Sequence, residues 1–228
     1  MDSIHIISVI NKCDVYKEFI KDNPAMNRHK LTAYDNSSEN IGVSVRYNNF
    51  IKNNLSEENE WYIFCHQDFA FFDDPAEILK DLSRDAIYGV IGAALVKKFS
   101  WSHLRHYRHN ELTGMVFTSL SRNAPKKNIA VSGKVKVATL DCCCFIVNSK
   151  LIREHDLSFD ENLPFHLYSE DFSLTAKSKG IDTYVVPIAC CHTGRGTFNR
   201  AFFENLIYLK QKHNIDRLVG TSSIDRGE

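Results

Sequence analysis

Four short polar clusters hold the side chains of this sequence that could do chemistry: Asp35-Asn36, His66-Gln67-Asp68, Glu170-Asp171 and His192. The second is the most informative. It follows Trp61-Tyr62-Ile63-Phe64-Cys65, a short apolar run of β-formers that suits a buried strand. An imidazole, an amide and a carboxylate in a row can bind a cation or a phosphate. Aromatics resume at Phe69, Phe71 and Phe72, and Asp73-Asp74-Pro75 then opens a new element. In an open α/β sheet, ligands sit at the carboxyl ends of the strands, which is where this triplet would fall.

The elements that must position these clusters follow from hydrophobic spacing. Ile4 to Ile10 reads as an opening strand. Val15, Tyr16, Phe19 and Ile20 have helical spacing, and Asn23-Pro24 ends that segment. A second strand, Lys30 to Tyr34, closes on Asp35-Asn36-Ser37-Ser38, which are turn and cap residues. Ile41 to Leu55 predicts a helix. Asp74-Pro75-Ala76-Glu77 is a helix start with Asp as cap and Pro at the first helical position. Ala86 to Ile91 is a further strand. Strands alternating with helices in this way predict an α/β fold, with a mostly parallel central sheet flanked by helices.

Further along, Lys134 to Thr139 and Cys142 to Val147 read as strands, and Asn148 to His155 as a short helix. Ser169 is expected to cap a helix running through Lys179 to a stop at Gly180. Thr183 to Ile188 is a last strand, and an amphipathic helix spans 199–213. The segment 97–136 is rich in His and Arg and lacks sustained periodicity. It reads as loop and short elements, where substrate-specific decoration is expected. Without an internal repeat or linker, one domain over 1–228 is expected.

Composition excludes several classes. Hydrophobic residues make up 43% and charged residues 25% of the 228, as in soluble globular proteins. Lys plus Arg and Asp plus Glu number 28 each, so no global charge favours nucleic acid or an anionic membrane. No apolar run approaches the roughly 20 residues of a membrane span. The start, MDSIHIISVI, lacks a basic secretory n-region. Seven cysteines, including Cys142-Cys143-Cys144 and Cys190-Cys191, do not form a disulfide-type pattern. A cytoplasmic location is therefore expected. A zinc site built from these cysteines is disfavoured, because adjacent residues on a strand point to opposite faces. No glycine-rich turn follows the first strand and no Walker-type lysine loop occurs. Nucleotide binding would then fall to carboxylates, side-chain amides and a metal.

The ordered stretches YDNSSEN and VRYNNFI, FCHQDFAFFDD, FDENLPFHLYSEDFSLTAKSKG and CHTGRGTF resemble the family 2-like glycosyltransferases of GT-A fold, over Ile4 to Phe198. The resemblance is greatest to the subgroup that includes glycosyltransferases of streptomycin-type gene clusters, with His-Gln-Asp in place of Asp-x-Asp. It implies metal-dependent, inverting transfer of a sugar from a nucleotide-sugar donor to a hydroxyl of a carbohydrate or other acceptor, with a role in polysaccharide or natural-product assembly. Asp68 is then the first metal ligand and His192 the second, with His66 as a further candidate. Imidazole favours Mn²⁺ over Mg²⁺. Asp35, Asn36, Arg46, Gln67, Asp68 and Arg195 are the implied donor-binding residues; Asp35 is equally placed to cap its own turn. Asp171 matches the family's general base better than Glu170, and either carboxylate also suits a helix's first turn. The alternative is a noncatalytic nucleotide- or glycan-binding protein that keeps the fold.

Overall fold

Alternation of period two decides how this chain packs, as its computed structural model shows over residues 2–93, 112–121, 131–194 and 198–215. The elements in chain order are β1 (Ser3–Ile10), α1 (Cys13–Tyr16, continued by a π-helical turn, Lys17–Lys21), β2 (Lys30–Asp35), α2 (Val43–Asn54), β3 (Glu60–Cys65), β4 (Phe69–Phe71) and α3 (Ala76–Leu79). There follow β5 (Ala86–Gly89), β6 (Ile91–Ala93), β7 (Leu112–Gly114), β8 (Val135–Val137), β9 (Thr139–Leu140), β10 (Cys144–Asn148) and α4 (Ser149–His155). The chain closes with α5 (Tyr168–Ser178), β11 (Asp182–Val185), β12 (Cys190–His192) and α6 (Arg200–Lys212).

Seven strands form the central sheet in the order β2-β1-β3-β10-β5-β11-β8. The pairs β1–β2, β1–β3 and β5–β11 are parallel, and only β10 and β8 run against their neighbours. The mostly parallel α/β sheet flanked by helices is therefore present. All of β3 is buried, as its unbroken apolar run requires. Successive β3 residues feed two cores. Tyr62 and Phe64 join Tyr47, Phe145, Phe159 and Phe172 under α2 and α5. Trp61, Ile63 and Cys65 join Ile4, Ile6, Ile20, Ile146 and Cys190 on the other face. Phe64 stacks on Phe145 with ring centroids 5.1 Å apart, and Phe159 stacks on Phe172 at 4.6 Å.

Three differences from the sequence expectations matter for the site. First, the strand expected at Thr183 to Ile188 ends at Val185 and is not the last. Cys190–His192 is a strand, paired antiparallel with Phe69–Phe71. Second, α5 starts at Tyr168 from a left-handed Leu167 (φ 63°), so Ser169 lies inside the helix and does not cap it. Its hydroxyl instead donates to Glu170 Oε2 at 2.9 Å. Third, Asp141 turns the chain ahead of β10 by accepting the Cys143 N–H at 2.8 Å, which delays that strand to Cys144. Five of the seven cysteines lie in the core. Cys65, Cys143, Cys144, Cys190 and Cys191 are buried free thiols, and burial pushes each of them up from its ordinary pKa. Among the described residues no helix is long and apolar enough to cross a membrane.

Phe145 sits at the junction of the aromatic tier. Phe145→Ala should lower stability by about 3–5 kcal/mol, since truncating a buried Phe loses burial and leaves a cavity. Urea unfolding measures this directly, with an unchanged slope expected.

Candidate functional site

The carboxyl ends of β1, β2 and β3 lie side by side, and the antiparallel β10 brings its beginning to the same edge. In that register Cys144 faces Cys65, and the His66 N–H donates to the Cys143 carbonyl at 3.0 Å. A tight turn follows, closed by Phe69 N–H to the His66 carbonyl at 3.1 Å. The chain then enters β4. Because β4 pairs with β12 with Phe69 opposite His192, residue 192 is delivered beside residue 68. Phe117 holds the other side of β12, donating to the Cys190 carbonyl at 2.9 Å and accepting from the His192 N–H at 3.0 Å.

His66, Asp68 and His192 thus converge, with one ligand atom of each within 4.8 Å of the others. His66 Nδ1 is 3.1 Å from His192 Nε2, and His192 Nε2 is 3.3 Å from Asp68 Oδ1. The edge of an octahedron with bonds of about 2.1 Å is about 3 Å, so these two spacings fit neighbouring ligand positions around a hard divalent ion. Two imidazoles and a carboxylate suit Mn²⁺ and its transition-metal neighbours. Supporting groups orient the set. The Thr193 hydroxyl donates to Asp68 Oδ2 at 2.9 Å. The Tyr168 hydroxyl donates to the Cys142 carbonyl at 3.4 Å and lies 3.2 Å from His66 Nε2. With Nε2–H given to that hydroxyl, the Nδ1 lone pair of His66 faces the cluster.

Electrostatics favour the same state. Burial, and then the neighbouring His192, push His66 down to about 4, against a weaker upward pull from Asp68 and Asp141. His66 is therefore neutral at pH 7, with a lone pair available to a cation. Burial acts to raise the Asp68 carboxyl, but the hydrogen bond and charge of His192, with His66 and Thr193, outweigh it and hold it well below the carboxylate range. Gly194 leaves the space these groups need. A Cβ built there would lie 2.9 Å from His192 Nε2 and 3.0 Å from Asp68 Oδ2.

The other candidates fall in three places. Asp35, Asn36 and Arg46 meet at the end of β2. Asp35 is exposed; hydrogen bonding from the Ser37 side chain, and then from the Ser37 N–H at 2.7 Å, holds it below its ordinary pKa. Asn36 Oδ1 accepts from Arg46 Nε at 3.0 Å, and Arg46 lies over the Tyr34 ring. Gln67 turns away from the triad toward the loop after β1. Glu170 and Asp171, adjacent in α5, have separate surroundings. Asp171 is buried against α6, with its Oδ1 2.8 Å from Lys212 Nζ and 2.7 Å from His213 Nε2. Glu170 is also buried, near enough to Tyr168 and Cys142 that its charge helps raise both. Arg195 lies outside the described residues, as does most of the His-rich segment.

Asp141 is the residue that sequence reasoning missed. Its charge acts on His66, Cys142 and Tyr168. An acidic residue just before an antiparallel strand reaches the ligand edge from the opposite direction. No local pattern reveals this, because the reversal of β10 is a property of the sheet.

No protein-family model matches the sequence, and no curated protein matches it significantly. Solved structures do match. GalNAc-T7, crystallised with UDP, GalNAc and Mn²⁺, matches with a TM-score of 0.53 over 92% of this chain and 48% of its own, at 9% identity. TarS 1–349 of S. aureus in complex with UDP gives a TM-score of 0.53 at 12% identity, over 95% of this chain and 67% of that one. A further S. aureus TarS structure gives 0.51 at 12% identity and is covered over only 39% of its length. The chain therefore spans between about two fifths and two thirds of these neighbours. The likeness establishes the fold, which is that of the GT-A glycosyltransferases.

Gly194→Ala should weaken any divalent-cation binding at this cluster by about tenfold or more, the size expected when support around metal ligands is disturbed. Its Tm should change little, and titration calorimetry checks the affinity.

Asp171→Ala should cost about 1.5–3 kcal/mol by removing a buried carboxylate that accepts from Lys212 and His213, measured by denaturant unfolding.

Acid should destabilise the metal-free protein in two stages. The unfolded chain protonates His66 near its ordinary 6.5, whereas the folded protein resists until about 4. Its share of stability therefore falls as pH drops through that window. Asp68, depressed when folded, contributes stability above its ordinary 3.8 that is lost as pH falls further. His66→Phe should flatten the first stage in Tm against pH, leaving the slope from His5 and His166, which burial also lowers.

Proposed function

We propose that this protein transfers a sugar from a nucleotide-sugar donor to an acceptor hydroxyl, with a divalent cation held by His66, Asp68 and His192. The observation that carries the reading is the convergence of these three side chains at the ligand edge of a GT-A sheet. That UDP accompanies the matched GalNAc-T7 and TarS structures, with Mn²⁺ in the former, supports a nucleotide-sugar donor and a divalent ion here. A cation bound at the triad would neutralise the charge that develops on the departing diphosphate.

The chain's own residues supply the rest. Asp35, with Asn36 and Arg46, offers acceptors and a guanidinium to the nucleoside end of the donor. Thr193 and Tyr168 hold the triad in its ligating orientation. Glu170 takes the proton of the acceptor hydroxyl. It is preferred to Asp171 because it lies near Tyr168 and Cys142 at the ligand edge, whereas Asp171 is turned to α6 and held there by Lys212 and His213. Attack on the face opposite the leaving group inverts the anomeric centre. The segment 97–136 is the proposed source of acceptor selectivity.

The test is a panel of nucleotide sugars with Mn²⁺ or Mg²⁺, scored for transfer and for donor hydrolysis. Asp68→Ala and His192→Ala should abolish both reactions and the metal-dependent thermal shift with the matching nucleoside diphosphate. Glu170→Gln should keep that shift but lose about 100-fold or more in turnover, the usual worth of a general base. Full activity in Asp68→Ala would refute the scheme. Nucleotide binding with no turnover across the panel would instead favour a noncatalytic binding protein.

A further inference from the structure

Gln67 lies between two members of the triad, yet its side chain belongs to another part of the molecule. Gln67 Oε1 accepts the backbone N–H groups of both Asn11 and Lys12, each at 2.9 Å. Its Nε2 donates to Asn11 Oδ1 at 2.7 Å. These residues form the loop between β1 and α1. Lys12 is at the cap position of α1, so Gln67 accepts the backbone N–H groups at and just before that cap, which no helical carbonyl meets. The loop is tied onward in turn. The Ile10 carbonyl accepts the Asn36 N–H at 2.7 Å, and Asn36 Oδ1 accepts from Arg46. Hydrogen bonds joined by the Ile10–Asn11 backbone therefore connect the 66–68 turn, through Gln67 and the β1 loop, to the Asn36–Arg46 pair.

We infer that Gln67 is a positioning residue, through which cation binding at His66, Asp68 and His192 fixes the loop after β1 and, beyond it, the nucleoside end of the proposed donor site. The inference rests on the cation reading above. Its physical basis is geometric. A bound cation fixes the orientation of residues 66 and 68. The backbone of a single tight turn then leaves Gln67 little freedom, and its three hydrogen bonds pass that constraint to residues 11 and 12. With both loop N–H groups taken by Gln67, they are not open to a phosphate, so the diphosphate charge falls to the triad. This arrangement stands where other nucleotide folds place a glycine-rich loop.

The test is amide hydrogen exchange in the segment containing Asn11 and Lys12, with and without Mn²⁺, with Mn²⁺ occupancy followed independently by paramagnetic resonance. In the wild type, Mn²⁺ should slow exchange of these two amides by about tenfold, the signature of a suppressed local opening. Gln67→Met keeps side-chain length without the amide and should bind Mn²⁺ while losing the slowing. Gln67→Glu should retain it, because a carboxylate accepts both N–H groups and the Asn11 carboxamide can turn to donate. Mn²⁺-dependent slowing that persists in Gln67→Met would overturn the inference, as would its absence in a wild type with Mn²⁺ bound; both leave the cation site standing. A wild type that binds no Mn²⁺ would remove the cation reading and this inference together.

Discussion

The site depends on one short antiparallel pairing, Phe69–Phe71 with Cys190–His192. The two segments are more than a hundred residues apart, and neither is long. The ribbon holds because its residues are almost fully buried. Phe69, Ala70, Phe71, Cys190 and Cys191 all lie in the same core as Ile63 and Cys65. Small thiols suit this position, since they fill space beside aromatic rings and need no strong hydrogen-bond partner. Register is what counts. A slip of one residue would turn His192 to the opposite face and leave Asp68 without its imidazole. The Phe117 backbone, bonded to both Cys190 and His192, opposes such a slip.

The rest of the sheet serves the same edge. Parallel strands β1, β2 and β3 end together there, as in other open α/β folds. The reversed β10 adds Asp141 to Cys143 from the opposite direction, and α5 adds Tyr168 and Glu170. The left-handed Leu167 sets where α5 begins. A bulky residue in that conformation is strained, and its location directly before Tyr168 fits the pattern of strain kept where a helix start must be aimed. On the far side of α5, Asp171 secures α6 through Lys212 and His213, and Lys212 also reaches Asp160. Burial acts against the Lys212 charge, but the two carboxylates outweigh it and raise its pKa above the ordinary value. Adjacent acidic residues on one helix thus take different tasks, because about 100° of helical rotation sends them into different surroundings.

What the sequence determined by itself was mostly local. The apolar run of β3, the alternating strands and helices of the first ninety residues and the helix starts at Asn148 and Asn199, whose side chains accept from Lys150 N–H and Phe202 N–H, depend on neighbours a few residues away. The α/β class and most element positions were legible for that reason. Ordered spacing of Asp35, His66-Gln67-Asp68, Glu170 and His192 also pointed to the strand ends. Tertiary structure alone decided how those residues are used. That His192 meets Asp68 rests on a ribbon of three residues per strand, too short to leave a periodic signal. Gln67 and Asp68 look equivalent in sequence, but one bonds the β1 loop and the other faces the cluster. Glu170 and Asp171 likewise differ only through what packs against α5. The physical reason is common to all three. Side-chain direction is set by backbone register and helix phase, and these are fixed only when distant segments close on each other.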